Sequence, residues 1–209
     1  MPADPTSLVS QTPVIPVLTI ERVADAAPLA RALVAGGLPV IEVTLRTKAA
    51  LEAIKAIAAE VPDCVVGVGT VTRGADIQAA IAAGAKYLVS PGTPSELAAA
   101  LADAAVPVLP GCATVSEAMA LSLRGFKVLK FFPAEACGGV AWLKSIAAPL
   151  PELRFCPTGG IDQRNAATYL ACANVLAVGG SWVAPKDALA TGDFARITEL
   201  ARAAAALRR

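Results

Sequence analysis

One lysine stands apart from the others. Lys130 is preceded by Val128 and Leu129 and followed by Phe131 and Phe132. An amine walled by apolar neighbours is short of water, and desolvation favours the uncharged form that attacks carbonyl carbon. Lys48, Lys55, Lys86, Lys144 and Lys186 fall on stretches that read as helices or loops, where a hydrated ammonium is the default, and Lys127 falls at the exposed leading end of its strand. The second chemical segment is Val40-Ile41-Glu42-Val43-Thr44-Leu45-Arg46. Strand alternation sends Ile41, Val43 and Leu45 to one face and Glu42, Thr44 and Arg46 to the other. The same alternation turns Leu129 and Phe131 away from Lys130. A glutamate, an arginine and a lysine would therefore meet inside a closed sheet. Two readings stand open: a buried ion pair that only satisfies itself, or a nucleophilic amine beside a proton-transferring carboxylate.

Histidine is absent. That excludes Ser-His-Asp and Cys-His catalysis, an imidazole base and His-bound zinc. Acid–base and nucleophilic work falls to Glu, Asp, Lys, Cys, Tyr, Ser or Thr. The cysteines, Cys64, Cys112, Cys137, Cys156 and Cys172, are scattered with no C-x-x-C spacing, which argues against a metal site or a redox pair. With no basic cluster to activate them, Cys112 and Cys156 read as buried, inert thiols. Their odd number and the lack of a secretory leader point to a reducing cytoplasm.

Two glycine pairs suggest an anion site. Cys156-Pro157-Thr158-Gly159-Gly160-Ile161 follows the seventh strand-like run, and Val178-Gly179-Gly180-Ser181-Trp182 is read as the turn after the eighth. In phosphate-using barrels these two loops commonly form a cup of backbone N–H groups. A third glycine segment, Gly67-Val68-Gly69-Thr70-Val71, lets other groups approach the backbone closely and puts Thr70 at the mouth of its strand. Simple packing would explain those two glycines equally well. Trp142 and Trp182 read as packing anchors.

These groups need a frame. Short runs rich in Val, Ile and Leu recur at Val14–Leu18, Val40–Leu45, Val65–Val68, Tyr87–Ser90, Val106–Leu109, Lys127–Phe131, Arg154–Pro157 and Val175–Val178. Alanine-rich amphipathic stretches lie between them, at Val23–Ala35, Ala49–Ala59, Ala75–Ala83, Ser95–Ala104, Ser116–Leu123 and Phe194–Leu207. Gly36-Gly37, Gly84 and Gly125 punctuate helix ends. A β/α unit of roughly 20–27 residues repeats about eight times, as in an α/β fold of the (β/α)8 TIM barrel type, here a compact one. Periodicity alone does not separate it from an open, doubly wound sheet. No linker divides the chain, so residues 1–12 read as a flexible lead-in to a single domain over 13–209.

Composition narrows the partners. Lys+Arg is 18 against 17 for Asp+Glu, a formal net charge of +1, which gives no reason to expect nucleic acid or an acidic membrane. The 56% apolar content and mean hydropathy of +0.60 exclude disorder and suggest apolar surface that meets another subunit. The long uncharged run Asn165–Pro185 is broken by Asn174, Gly179, Gly180 and Ser181, and reads as a helix end, a strand and a loop.

The segments EVTLRT (42–47), GVGTV (67–71), SPG (90–92), KFFPAE (130–135), RFCPTGGI (154–161) and GGSW (179–182) occur in this order. Together they resemble the bacterial 2-keto-3-deoxy-6-phosphogluconate (KDPG) and 4-hydroxy-2-oxoglutarate aldolases, from about Val14 to Ala201. The resemblance implies a class I lyase of the Entner–Doudoroff pathway on a TIM barrel, a cytoplasmic homotrimer without metal or cofactor. Its substrates would be a phosphorylated keto-deoxy sugar acid, pyruvate and glyceraldehyde 3-phosphate. By position, Lys130 would form the Schiff base and Glu42 would transfer protons. Arg46 and Thr70 would hold the pyruvyl carboxylate, with Pro91 and Phe132 in the same binding site. Gly159, Gly160, Gly180 and Ser181 would hold the phosphate, and Thr158 would line the pocket for the substrate hydroxyls. One segment departs from the pattern: Gly111-Cys112-Ala113-Thr114 has Ala113 where relatives carry a serine-type contact. The resemblance leaves room for the 6-phosphogalactonate epimer, for 4-hydroxy-2-oxoglutarate or for oxaloacetate decarboxylation. A phosphate-binding barrel of the thiamin-phosphate or tryptophan-pathway type would share the two glycine segments but has no need of a buried imine lysine. A barrel that only binds sugar phosphates or serves as an oligomeric scaffold would need neither Lys130 nor Glu42.

Overall fold

The computed structural model describes residues 3–207. Its strands all run parallel and close into a ring. β1 (Val14–Leu18), β2 (Val40–Thr44), β3 (Val65–Gly69) and β4 (Leu88–Val89) pair in chain order. β5 is split into Val108–Leu109 and Gly111–Cys112 by Pro110, which has no N–H for the ladder. Its first piece pairs with β4 and its second with β6 (Val128–Phe131). β6 pairs with β7 (Arg154–Pro157), and β8 (Val178–Gly180) pairs with β1. The bridges Phe155↔Val175 and Thr158↔Gly179 join the β7 and β8 segments and complete the circle. An open doubly wound sheet would leave two edges, so the alternative is removed. This is the (β/α)8 barrel.

The helices are α1 (Thr6–Val9), α2 (Ala26–Ala35), α3 (Ala50–Glu60), α4 (Gly74–Ala82), α5 (Ser95–Ala102), α6 (Val115–Leu123), α7 (Gly139–Ala147), α8 (Ala166–Leu170), α9 (Lys186–Thr191) and α10 (Phe194–Ala205). Alanine-rich patterning marks six of them; α1, α7, α8 and α9 lie outside it. α8 and α9 have only 5 and 6 residues, too few to show a helical period. Gly37, Gly84 and Gly125 take positive φ after α2, α4 and α6, as the helix-stop reading requires.

Strand alternation divides the apolar residues into two cores. Ile41, Val43, Leu129, Phe131 and Phe155 pack outward against the helices. Ile15, Val40, Tyr87, Leu109, Val128 and Cys156 pack inward. Burial on both faces accounts for the Val- and Ile-rich strands. Residues 1–12 read as a flexible lead-in; among the described ones, part of the segment is placed against the barrel. Thr6–Val9 is a helical turn, and fully buried Val9 joins the inner core with Ile15, Val40 and Val128. Thr12 Oγ1 donates to the Val14 carbonyl at 2.8 Å, fixing the approach to β1. Val9 thereby stoppers the end of the ring where the strands begin.

Gly67 is a packing position. A Cβ there would lie 2.2 Å from the ring of Tyr87, whose hydroxyl donates to the Ile41 carbonyl at 2.8 Å. Gly67→Ala should lower stability by about 1–3 kcal/mol, the usual cost of overpacking a filled interior. An unchanged urea midpoint would show that Tyr87 can move aside. Burial pushes the thiols of Cys64, Cys112 and Cys156 up to about 12. The unfolded chain releases thiol protons near pH ~8.5. Their contribution to stability is therefore complete below that pH and is lost as pH climbs toward 12. Iodoacetamide at pH 8 should spare these three residues until the protein is denatured; peptide mapping checks it, and alkylation of native Cys156 would contradict the burial.

Candidate active site

β2 and β6 stand opposite each other in the eight-strand ring, and alternation aims Glu42 and Lys130 at its axis. Lys130 Nζ donates to Glu42 Oε1 at 3.0 Å and Oε2 at 3.3 Å. Both residues are deeply buried, 5% and 4% exposed. A lone buried charge would be prohibitive, whereas a paired one with both oxygens engaged is tolerable. Among the described residues no buried side-chain nitrogen or oxygen lacks a partner. The carboxylate has room because residue 69 is glycine: a Cβ there would lie 2.0 Å from Glu42 Oε1. Gly67 and Gly69 thus serve different neighbours, the first an aromatic ring and the second the Glu42 carboxylate. The Lys130 ammonium also sits 5.4 Å from the centre of the Phe132 ring.

A cavity of about 1000 Å³ opens where the strands end, beside β1, β7 and β8. Arg46, Phe132, Thr158, Gly159, Gly160, Gly180 and Ser181 line it. Lys130 and Glu42 lie deeper in the barrel, and Phe132 touches both the amine and the cavity. Arg46 makes no ion pair among the described residues, so its charge is available to the cavity. Thr70 and Pro91 follow β3 and β4 at the same end of the ring, outside the cavity's lining. Thr70 holds φ at +64°, the sole non-glycine positive φ among the described residues. Such backbone strain costs on the order of 1–3 kcal/mol and collects at functional sites. Pro91 belongs to a turn tied to β5: the Gly111 N–H donates to Ser90 Oγ at 3.1 Å, and Thr93 Oγ1 donates to the Gly111 carbonyl at 2.8 Å.

The two glycine pairs converge on the cavity by different means. Gly159 and Gly160 form a turn with φ of +101° and +76°. The Ala134 N–H donates to the Thr158 carbonyl at 2.8 Å, and the Glu135 N–H to the Gly159 carbonyl at 3.1 Å. In a trans peptide the N–H points opposite to its carbonyl. The N–H groups of Gly159 and Gly160 therefore face away from Ala134 and Glu135, and neither has a protein acceptor among the described residues. The second pair was expected in a turn, but the structure puts Gly179 and Gly180 inside β8, paired with Ile15 and Pro16. Close approach selects glycine there. A Cβ at 179 would meet Thr158 Oγ1 at 2.2 Å, and one at 180 the Trp182 ring at 1.7 Å.

Trp142 is the packing anchor expected: it stacks on Phe131 with ring centres 4.1 Å apart, behind the lysine strand. Trp182 instead lines the cavity. Thr19 and Arg22, absent from the sequence reading, line it as well, and Thr19 Oγ1 lies 3.3 Å from Thr44 Oγ1. Alternation along β1, which turns Ile15, Val17 and Thr19 the same way, was the signal for Thr19. Cys156 lines the inner barrel near Lys130 as a protonated thiol, consistent with an inert role. Among the described residues no three His, Cys, Asp or Glu side chains gather as a metal-binding group. Among the described residues no helix is long and apolar enough to cross a membrane.

Residues 6–200 match the family described as "Aldolase: KDPG and KHG aldolase". The 2-dehydro-3-deoxy-phosphogluconate aldolase of Dickeya dadantii is 52% identical over 194 residues, 93% of this chain and 91% of that protein. The KHG/KDPG aldolase of Escherichia coli K12 is 50% identical over 198 residues, 95% and 93% of the two chains. The crystal structure of a KDPG aldolase from Legionella pneumophila, with pyruvate captured as a covalent carbinolamine, superposes with a TM-score of 0.95 at 43% identity, covering 98% of this chain and 99% of that one. With a paired lysine and glutamate in the core of its barrel, this chain belongs to the KDPG and KHG aldolase family.

Proposed function

We propose that the chain is a class I aldolase that cleaves 2-dehydro-3-deoxy-6-phosphogluconate reversibly to pyruvate and glyceraldehyde 3-phosphate through a Schiff base on Lys130. The observation that carries this reading is the buried Lys130–Glu42 pair, 3.0 Å apart, with Phe132 standing between the Lys130 amine and the cavity that the Gly159–Gly160 turn lines. The covalent pyruvate in the Legionella relative supports the same chemistry.

Proton movement within the pair generates the nucleophile. Transfer from Nζ to Glu42 leaves a free amine and a carboxylic acid. The amine attacks the C2 ketone. Glu42 returns its proton to the carbinolamine hydroxyl, which leaves as water and yields a protonated imine. That cation accepts the electron pair of the C3–C4 bond, so cleavage gives a neutral enamine. Glu42, again a carboxylate, takes the C4 hydroxyl proton as the aldehyde forms. Protonation of the enamine at carbon and hydrolysis of the imine release pyruvate. Arg46 and Thr70 hold the pyruvyl carboxylate, with Pro91 and Phe132 alongside. Thr158 meets the hydroxyls, and Gly159, Gly160, Gly180 and Ser181 hold the phosphate. Ala113, where relatives carry a serine-type contact, affects substrate breadth more than this sequence of steps. A second reading, 4-hydroxy-2-oxoglutarate as substrate, is favoured by the dual name of the E. coli relative; comparison of kcat/KM on the two substrates ranks them.

The homotrimer is part of the same proposal, in a cytoplasmic setting that suits free thiols. Val115, Met119 and Leu123 recur every four residues on α6, and all three are exposed, Leu123 by 89%. Apart from Val23 they are the exposed large apolar residues among those described. An apolar stripe of this kind suits a subunit contact.

Borohydride added with pyruvate should fix a pyruvyl adduct on Lys130, seen by peptide mass mapping, and Lys130→Met should abolish both adduct and cleavage. Glu42→Gln should slow cleavage by about 10²–10⁴-fold. An adduct on another lysine, or an active Lys130→Met variant, would remove the mechanism and favour a non-catalytic barrel. Light scattering should give three times the 21.1 kDa chain mass, with Leu123→Asp shifting it downward; a monomeric wild type would refute the trimer.

A further inference from the structure

Glu135 follows the lysine strand by a few residues, begins the turn Glu135–Cys137 and is used by no step above. Its side chain takes a distinctive course. A Cβ on Gly160 would lie 2.6 Å from Glu135 Cγ and 2.7 Å from its Cβ, so the stem rests directly on the Cα of that glycine. The carboxylate end accepts a hydrogen bond from the hydroxyl of Tyr169, a fully buried residue of α8. Gly139 leaves space for the contact: a Cβ there would lie 3.0 Å from the Tyr169 oxygen and 3.4 Å from Glu135 Oε1. Burial, and then the neighbouring carboxylate, push the Tyr169 phenol up, so it stays protonated and donates throughout the neutral range.

The other side of the turn is fastened too. Asn165 Nδ2 donates to the Gly160 carbonyl at 3.0 Å, and Asn165 Oδ1 accepts from the Asp162 N–H at 2.9 Å. Gly159 and Gly160 have no Cβ and broad conformational freedom. Left alone, such a turn would sample many orientations of its N–H groups, and ordering them on binding would weaken affinity. The backbone bonds from Ala134 and Glu135 to the Thr158 and Gly159 carbonyls restrain it in part; the Glu135 stem adds a restraint on Gly160 from one side and Asn165 from the other.

We propose that Glu135 is a positioning residue for the anion cup, its carboxylate anchored by Tyr169 so that its stem holds the Gly159–Gly160 turn in the phosphate-binding form. Through it the segment that carries the Schiff-base lysine also sets the grip on the far end of the substrate. The inference rests on the reading of that turn as a phosphate cup, so its test separates the two.

Steady-state rates are measured on KDPG and on 2-keto-3-deoxygluconate, the same molecule without phosphate, together with borohydride trapping of pyruvate. Tyr169→Phe keeps the ring and fold but removes the donor; Glu135→Ala removes the stem. Each should raise KM for the phosphorylated substrate about three- to tenfold, the worth of one or two hydrogen bonds. Neither should change kcat, the rates on the unphosphorylated substrate or the pyruvate adduct. Glu135→Gln keeps both stem and acceptor and should retain the wild-type KM. Loss on both substrates alike, an unchanged KM in Tyr169→Phe and Glu135→Ala, or a Glu135→Gln variant as impaired as Glu135→Ala would overturn the proposal. A wild type indifferent to the phosphate would instead overturn the cup itself.

Discussion

The contact between Lys130 and Glu42 governs the design of this barrel. Two opposite charges are held out of water at the centre of a closed sheet, and removing each from solvent costs several kcal/mol. The cost is bearable only with close, well-directed contact, which places demands on the rest of the ring. The strands must be in register so that residues 88 positions apart meet. Gly69 must lack a side chain so that the carboxylate fits. Below the pair, the interior must be filled with apolar groups so that no water competes for the charges; Val40, Tyr87, Leu109 and Val128 do this.

A strand such as β2 therefore serves three regions at once. Its outward residues bind the helices, its early inward residues fill the apolar interior, and its late inward residues carry polar chemistry. β2 shows the progression in five residues: Val40 inside near the start, Glu42 and Thr44 inside further on, with Ile41 and Val43 outside. In β2, and in β6 from Val128 to Lys130, polarity is thus written along the strand as well as across it. Backbone strain at Thr70 and the glycine turn at 159–160 both occur at the polar end, where geometry serves binding more than packing.

Much of this was legible in the residues. Alternation along two short strands was enough to predict that Glu42 and Lys130 face the same interior, because a two-residue period is insensitive to the exact strand ends. The eightfold repeat showed the architecture, though the pairings Phe155↔Val175 and Thr158↔Gly179 were needed to tell a ring from an open sheet. What was hidden depends on contacts distant in sequence. Glycine at 179 and 180 looks like a turn; only Thr158 and Trp182 pressing against it reveal a strand. The role of Val9 was invisible because four residues of helix have no period to detect. Tyr169 and Glu135, 34 residues apart, carry no local signal that they touch.

The Val9 stopper has a kinetic consequence. With Val9 packed among Ile15, Val40 and Val128 where the strands begin, solutes approach the paired charges from the opposite end, where the cavity opens. Under the proposed Schiff base the keto-acid fragment stays bonded to Lys130 after the C3–C4 bond breaks, so the aldehyde departs first and the keto acid second. In the synthetic direction the order reverses, and the keto acid enters before its partner.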